Sequence, residues 1–206
     1  MQLHRSKDQP EWNGLSADNQ NSWQRSAQRT NGVVTPGNII TVIGFTTALA
    51  GIVAITKEHY WYGFVGLLTG RLLDIADGWA ADFTSTKSPL GEALDASVDK
   101  LITLLTLIVL GVTHTAPAWI IVGILLPHLL ISLLAGQAVL KGKRLHPSRY
   151  GKLSMAAAWA SLVGFVATRA ANANLYLNGI SYILGFISIV LAVIALAGYL
   201  QSSKSK

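Results

Sequence analysis

The chain has 206 residues, of which 51% are hydrophobic and 13% are charged. Soluble domains carry about 25% charged residues, and several apolar runs here approach the roughly 20 residues that cross a bilayer, so the composition indicates a multi-pass membrane protein. The absence of cysteine excludes disulfides and thiolate sites. The net charge of +6 is typical of basic cytoplasmic loops that contact anionic membrane lipids, and we expect no nucleic-acid partner.

Residues 1–34 are polar and are predicted to form a cytoplasmic tail. No apolar segment follows a basic start, so a cleavable signal peptide is not expected. Two interpretations of the last part of this tail stay open. It is either disordered or forms a short amphipathic helix on the membrane surface, with Trp23 inward and Arg25 and Arg29 outward.

Six transmembrane helices are predicted to follow, which makes the fold all-α. The apolar runs lie at about 38–56, 60–82, 90–113, 117–140, 150–170 and 175–200. The membrane domain is therefore predicted to cover 35–201, with a short basic tail at 202–206. If the N-terminus is cytoplasmic, twelve Lys and Arg lie on inside segments and two, Lys57 and Arg169, lie outside. This bias predicts that both termini are cytoplasmic.

Four aspartates fall in the second and third predicted helices. Asp74 and Asp77 are three residues apart, and Asp95 and Asp99 are four apart, so each pair shares a helix face. An unpaired Asp at the centre of a membrane helix costs about 2.5 kcal/mol or more. The two nearby basic residues, Arg71 and Lys100, cannot neutralise four carboxylates. This disfavours the interpretation that the aspartates only form ion pairs that orient the helices. Carboxylates at this density are typical ligands of Mg²⁺, with Mn²⁺ or Ca²⁺ as alternatives, and two such ions suit a diphosphate substrate.

Small residues recur every four positions along the second predicted helix. Gly66 and Gly70 are predicted to let a neighbouring helix approach closely. Gly78, and Gly91 on the next helix, bracket the aspartates and are expected to leave room for a bulky ligand.

These residues together form a longer pattern. It reads Asp74-x-x-Asp77-Gly78-x-x-Ala81 and continues, after residues 83–90, with Gly91-x-x-x-Asp95-x-x-x-Asp99. The pattern resembles the signature DxxDGxxARx8GxxxDxxxD of the CDP-alcohol phosphatidyltransferases. One position departs from that signature, because Asp82 stands where the family has Arg.

The resemblance implies a reaction and its site. A CDP-linked lipid, CDP-diacylglycerol, would donate its phosphatidyl group to the hydroxyl of an acceptor alcohol in phospholipid biosynthesis, with release of CMP. Two Mg²⁺ or Mn²⁺ ions would be held by Asp74, Asp77, Asp95 and Asp99, and Asp99 would also be the catalytic base. The resemblance further implies a multi-pass protein of the cell (inner or plasma) membrane with a cytoplasmic active site. It also implies a homodimer, for which the Ala-rich run 155–161 offers one packing surface.

Five residues are implied to line the donor pocket: Gly78, Ala81, Gly91, Asn38 and Thr41. The last two are similar to a PNxxT element of the family, although a helix cap explains them almost as well. The departure at Asp82 removes a cation that would bind the donor phosphates. Arg71, one turn before Asp74, is the candidate substitute.

The basic loop 141–152 has two interpretations. Its basic residues set the membrane orientation of the protein and bind anionic lipids, or they bind an acceptor that carries phosphate. For the second role, Arg149 and Lys152 are best placed. The run YGKLSM is similar to phosphatidylglycerophosphate synthases, which makes glycerol 3-phosphate the first candidate acceptor. Inositol phosphate, or phosphatidylglycerol as in cardiolipin-type synthases, stays open. We assign neither His128, in the fourth predicted helix, nor His146, in the basic loop, to catalysis: His128 is expected to hydrogen-bond between helices and His146 to be solvated.

Two other classes are disfavoured. Membrane prenyltransferases also use Asp-rich helices and Mg²⁺, but their motifs lie on distant helices, whereas these aspartates lie on one hairpin. A cation transporter would place polar residues through the whole membrane thickness, yet the last three predicted helices are almost uninterruptedly apolar.

Overall fold

The computed structural model describes the backbone of residues 20–140 and 148–204 and the side chains of 20–137 and 148–201. Seven helices form in these ranges: α1 (Ser22–Arg29), α2 (Pro36–Thr56), α3 (Tyr60–Thr84), α4 (Pro89–Val112), α5 (Ala118–Leu140), α6 (Arg149–Ala170) and α7 (Leu175–Lys204). The described residues contain no strand, which confirms the predicted all-α class. The predictions for 1–19, for the basic loop 141–147 with His146, and for the last two residues lie outside the described ranges.

A helix does form in the tail. Asn21 caps α1, because its side chain accepts a hydrogen bond from the Gln24 amide at 2.8 Å while the Gln24 side chain accepts one from the Asn21 amide at 2.9 Å. Gln24 and Ala27 are the buried residues of α1, whereas Trp23 is 41% exposed. Asn21 also donates to the Thr84 carbonyl at 3.1 Å. The α1 helix therefore packs where α3 ends.

Four of the described helices are long and apolar enough to cross a membrane: α2, α5, α6 and α7. The other two long helices, α3 and α4, have 25 and 24 residues. Each of them carries four charged side chains, which is why their mean hydropathy and charge do not by themselves identify them as spans. Four of the six predicted spans are thus supported by length and composition.

The described chain divides into two compact units, and the first consists of residues 20–52 together with Val65–Thr103. Glycines bring α2 and α3 close together inside this unit. A Cβ added to Gly66 would lie 2.6 Å from the Gly51 Cα, and one added to Gly70 would lie 2.7 Å from the Ala48 Cβ. The predicted packing role of Gly66 and Gly70 is therefore confirmed.

The second unit comprises Val53–Phe64 and the described residues from Leu104 onward. Buried serines join α6 to α7: Ser154 donates to the Ser188 carbonyl at 3.0 Å, and Ser188 donates to the Ser154 carbonyl at 2.9 Å. Ser161 donates to the Ser181 carbonyl at 2.7 Å. Hydroxyls that bond backbone carbonyls in this way satisfy their polar atoms between apolar helices.

His128 of α5 lies with its Nε2 3.3 Å from the Ser154 Oγ of α6, which confirms a histidine that hydrogen-bonds between helices. The Ala-rich run 155–161 is partly buried inside the chain, since Ala158, Trp159 and Ser161 are at most 5% exposed. Those three side chains do not offer a surface to a second copy, because they are already packed.

Candidate active site

Arg71 bridges the two aspartate-bearing helices. Its Nη1 lies 2.7 Å from the Asp74 Oδ2 on α3 and 2.7 Å from the Asp99 Oδ1 on α4. The three side chains are about one-quarter exposed, at 27%, 24% and 24%. One guanidinium therefore compensates two of the four carboxylates, through charge-assisted hydrogen bonds of the stronger kind.

Asp77 is held from a third helix. It is 4% exposed, and the Thr41 hydroxyl of α2 donates to its Oδ2 at 2.5 Å. The helix positions follow from the sequence: Thr35 caps α2 by accepting from the Asn38 amide at 3.1 Å, and Pro36 takes the first helical position. This start places Thr41 one and a half turns into α2, opposite Asp77.

Asp95 is the least satisfied of the four aspartates. Its carboxyl group interacts with that of Asp74 across the α3–α4 hairpin. Its Oδ1 is buried, and no hydrogen-bond donor reaches that atom within the described part of the chain. A buried carboxylate oxygen without a donor is costly, and a bound cation would remove that cost.

The carboxylates fit divalent cations by their chemistry, but they do not form an assembled coordination sphere. Across residues 20–137 and 148–201, no three His, Cys, Asp or Glu side chains converge as metal ligands would. Arg71 gives the physical reason, because it occupies the space between Asp74 and Asp99. The donor set of hard oxygens and the orphaned Asp95 Oδ1 still match Mg²⁺ or Mn²⁺.

A cavity of about 80 Å³ opens beside Asp77 and Asp95. Five of the six residues that the sequence assigned to donor binding line it: Asn38, Thr41, Gly78, Ala81 and Gly91. Arg71 is not among the lining residues, since it lies between the helices instead. The structure thus brings the five pocket candidates together with two of the four predicted metal ligands.

The two glycines of this cavity have different surroundings. A Cβ added to Gly78 would meet no atom within 4 Å, so open space lies beside it. A Cβ added to Gly91 would lie 2.9 Å from the Asn38 Oδ1, so Gly91 permits the close approach of α4 to α2. Asn38 itself is fixed, because its Nδ2 donates to the Gly32 carbonyl at 2.9 Å and to the Val33 carbonyl at 3.0 Å.

Sequence reasoning missed several lining residues in the α3–α4 loop: Thr86, Lys87 and Ser88. The Lys87 Nζ lies 2.5 Å from the Asp82 Oδ1. Asp82, the residue that departs from the family signature, therefore forms an ion pair with Lys87. The sequence feature that could have indicated this pair is Lys87 itself, a basic residue five positions after Asp82 in the loop of the predicted hairpin.

Arg149 and Lys152 begin α6 in the second unit, and both are exposed. Ser148 caps this helix, with its Oγ accepting from the Gly151 amide at 3.0 Å. Their predicted contact with an acceptor phosphate stays a prediction.

The model of the CDP-alcohol phosphatidyltransferase family matches residues 34–196, and the chain belongs to that family. It is therefore a phosphotransferase for substituted phosphate groups that transfers a phosphatidyl group from a CDP-alcohol to an acceptor. No curated protein and no solved structure shows significant similarity to the chain.

Proposed function

We propose that the protein transfers the phosphatidyl group of CDP-diacylglycerol to the hydroxyl of glycerol 3-phosphate and releases CMP. The observation that carries this proposal is the shared cavity, which joins the donor-pocket candidates to Asp77 and Asp95. Such a cavity offers neutral hydrogen-bonding groups for a nucleotide on one side and carboxylates on the other. That combination suits a nucleotide diphosphate that arrives with metal ions.

Divalent cations, two Mg²⁺ or Mn²⁺ ions in our proposal, would be held by Asp74, Asp77, Asp95 and Asp99. Their chemistry would be to neutralise the donor diphosphate and to polarise the phosphorus under attack. Thr41 keeps the Asp77 carboxylate oriented through its hydrogen bond of 2.5 Å. Arg71 bonds Asp74 and Asp99, and it would become available to the donor phosphates when these carboxylates bind the cations.

Asp99 acts as the general base in this proposal. Its carboxylate is about three-quarters buried and bonded by Arg71 through one oxygen, Oδ1. The acceptor hydroxyl gives its proton to this carboxylate as the hydroxyl oxygen attacks phosphorus, and CMP departs as the leaving group.

The acceptor phosphate binds Arg149 and Lys152 in this proposal. Both side chains are exposed at the amino end of α6, where helix amides also favour an anion. Inositol phosphate carries the same anionic group and is the second acceptor to test. Phosphatidylglycerol is the lipid alternative.

We also propose that α3 and α4 cross the membrane, which completes six spans. At 1.5 Å per residue the 24 residues of α4 reach about 36 Å, enough for a hydrocarbon core of roughly 30 Å. Twelve inside against two outside basic residues support cytoplasmic termini and a cytoplasmic active site in the cell membrane. The domain boundaries 1–34, 35–201 and 202–206, and a homodimer, belong to the same proposal.

The test measures CMP release by purified protein in liposomes with CDP-diacylglycerol, Mg²⁺ or Mn²⁺, and each acceptor in turn. Asp99→Asn should abolish release, while Glu58→Gln, an exposed acid in the loop before α3, should leave it unchanged. Release that depends on metal and on glycerol 3-phosphate supports the proposal. Turnover with another acceptor alone corrects the acceptor, and release without metal, or none at all, contradicts the mechanism.

A further inference from the structure

Lys87 lies at the edge of the cavity beside three acidic residues. Among the described lining residues it is the single basic one, and the acids are Asp77, Glu92 and Asp95. Such a cavity has walls of opposite charge. A complementary ligand places negative charge next to Lys87 and cations next to the carboxylates. A phosphate group with bound metal ions has this distribution of charge.

Asp82 fixes the position of the lysine. The Lys87 Nζ lies 2.5 Å from the Asp82 Oδ1, but Asp82 itself does not line the cavity. The two side chains are 42% and 60% exposed, and ion pairs this exposed stabilise a fold by only about 0–1 kcal/mol. The pair therefore contributes little to stability, while it keeps a cation at the rim of the cavity.

The amino end of α4 adds to the positive side. Ser88 caps this helix by accepting from the Gly91 amide at 3.0 Å, and both residues line the cavity next to Lys87. The first-turn amides of a helix favour anions. Lysine and helix terminus thus face the same space.

We propose that Lys87 binds a phosphate of the CDP-linked donor, and that Asp82 is the positioning residue that holds Lys87 for this contact. This inference rests on the proposed function of the cavity. It assigns a role to the position where the chain departs from the family signature: the cation stands on the loop, and the acid at the signature position orients it.

A different role for the pair is purely structural. Asp82 lies in the last turn of α3, where a negative charge is unfavourable next to the helix dipole, and Lys87 would offset it. That role predicts altered thermal stability in variants of the pair without any change in nucleotide affinity. The two roles are therefore separable by measuring binding and stability on the same proteins.

The experiment measures CMP binding with Mg²⁺, the KM for CDP-diacylglycerol, and Tm. We expect Lys87→Met to weaken CMP binding and to raise this KM about tenfold, the low end for a hydrogen bond to a charged group, which corresponds to about 1.4 kcal/mol. Lys87→Arg should retain affinity within about twofold, because the charge remains. Lys57→Met, at an exposed lysine outside the cavity lining, is the matched control and should change neither value.

A double-mutant cycle tests the part played by Asp82. Asp82→Asn should raise the KM about threefold when Lys87 is present and leave it unchanged when Met replaces Lys87, because Asp82 acts only through the lysine. An equal effect in both backgrounds overturns the positioning role. Wild-type CMP affinity together with a wild-type KM for CDP-diacylglycerol in an active Lys87→Met variant, even one with a lower Tm, overturns this inference alone. A wild-type protein that neither binds nor releases CMP overturns it together with the proposed function.

Discussion

Replacing Arg71 by Met tests how the aspartates are balanced without metal. The change removes two hydrogen bonds of 2.7 Å, to Asp74 and Asp99, and leaves both carboxylates without that cation. Each hydrogen bond to a charged group contributes about 1.5–3 kcal/mol when well buried, but these side chains are about one-quarter exposed. We therefore expect a total loss of about 2 kcal/mol, after allowance for solvent screening.

For a chain of this length that loss corresponds to a decrease in Tm of about 4–8 °C. The measurement is thermal unfolding in detergent with a chelator present. Arg25→Met is the matched control, because within the described residues Arg25 donates one side-chain hydrogen bond of 3.2 Å, to the Gln20 carbonyl, and contacts no aspartate of the hairpin. Its Tm should change by no more than about 2 °C.

Magnesium should act differently on the two proteins. In the wild type a cation competes with the Arg71 guanidinium for Asp74 and Asp99, whereas in Arg71→Met both carboxylates are open to it. At a Mg²⁺ concentration about tenfold above its Kd, the variant should gain about 1.4 kcal/mol, or roughly 3–6 °C. The same concentration should stabilise the wild type less. Equal magnesium shifts in both proteins, or an undiminished Tm without metal, would refute this reasoning.

Three further substitutions test the helix packing and the cavity. Gly66→Ala should lower Tm by about 3–9 °C, an overpacking cost of about 1–3 kcal/mol, because the new Cβ meets the Gly51 Cα at 2.6 Å; an unchanged Tm in a thermal scan would contradict the tight crossing. Gly78→Ala meets no atom within 4 Å and should keep Tm while weakening CMP binding, as titration calorimetry would measure. Thr41→Val removes the hydroxyl that orients Asp77 and should lower kcat about tenfold with little change in the KM for the acceptor, measured by CMP release.

Much of the architecture was predictable because short polar breaks separate the apolar runs. The helix expected at 60–82 is α3, which extends over Tyr60–Thr84, and the one expected at 175–200 is α7, which extends over Leu175–Lys204. The helix expected at 38–56 is α2, which begins at Pro36 because Thr35 caps it. Ends of helices depend on caps and fraying more than on hydrophobic periodicity, which explains these small differences.

For the site, the sequence predicted which residues share a face of one helix. Helical spacing groups Asp74 with Asp77 and indicates the pocket candidates, but spacing within one helix cannot fix contacts between helices. The Arg71 contact to Asp99 depends on how α3 and α4 are rotated about their axes. The pairing of Lys87 with Asp82 depends on the course of a loop, which carries no periodic signal.

The serine contacts between α6 and α7 have a consequence for how these helices can move. Ser154 and Ser161 are seven residues apart, and so are their partners Ser188 and Ser181, in the antiparallel order. A slip of α7 by one residue would rotate its serines by about 100° and break these bonds together. The two helices are therefore held in one register. Any conformational change in this part of the chain would move α6 and α7 together, as one rigid body.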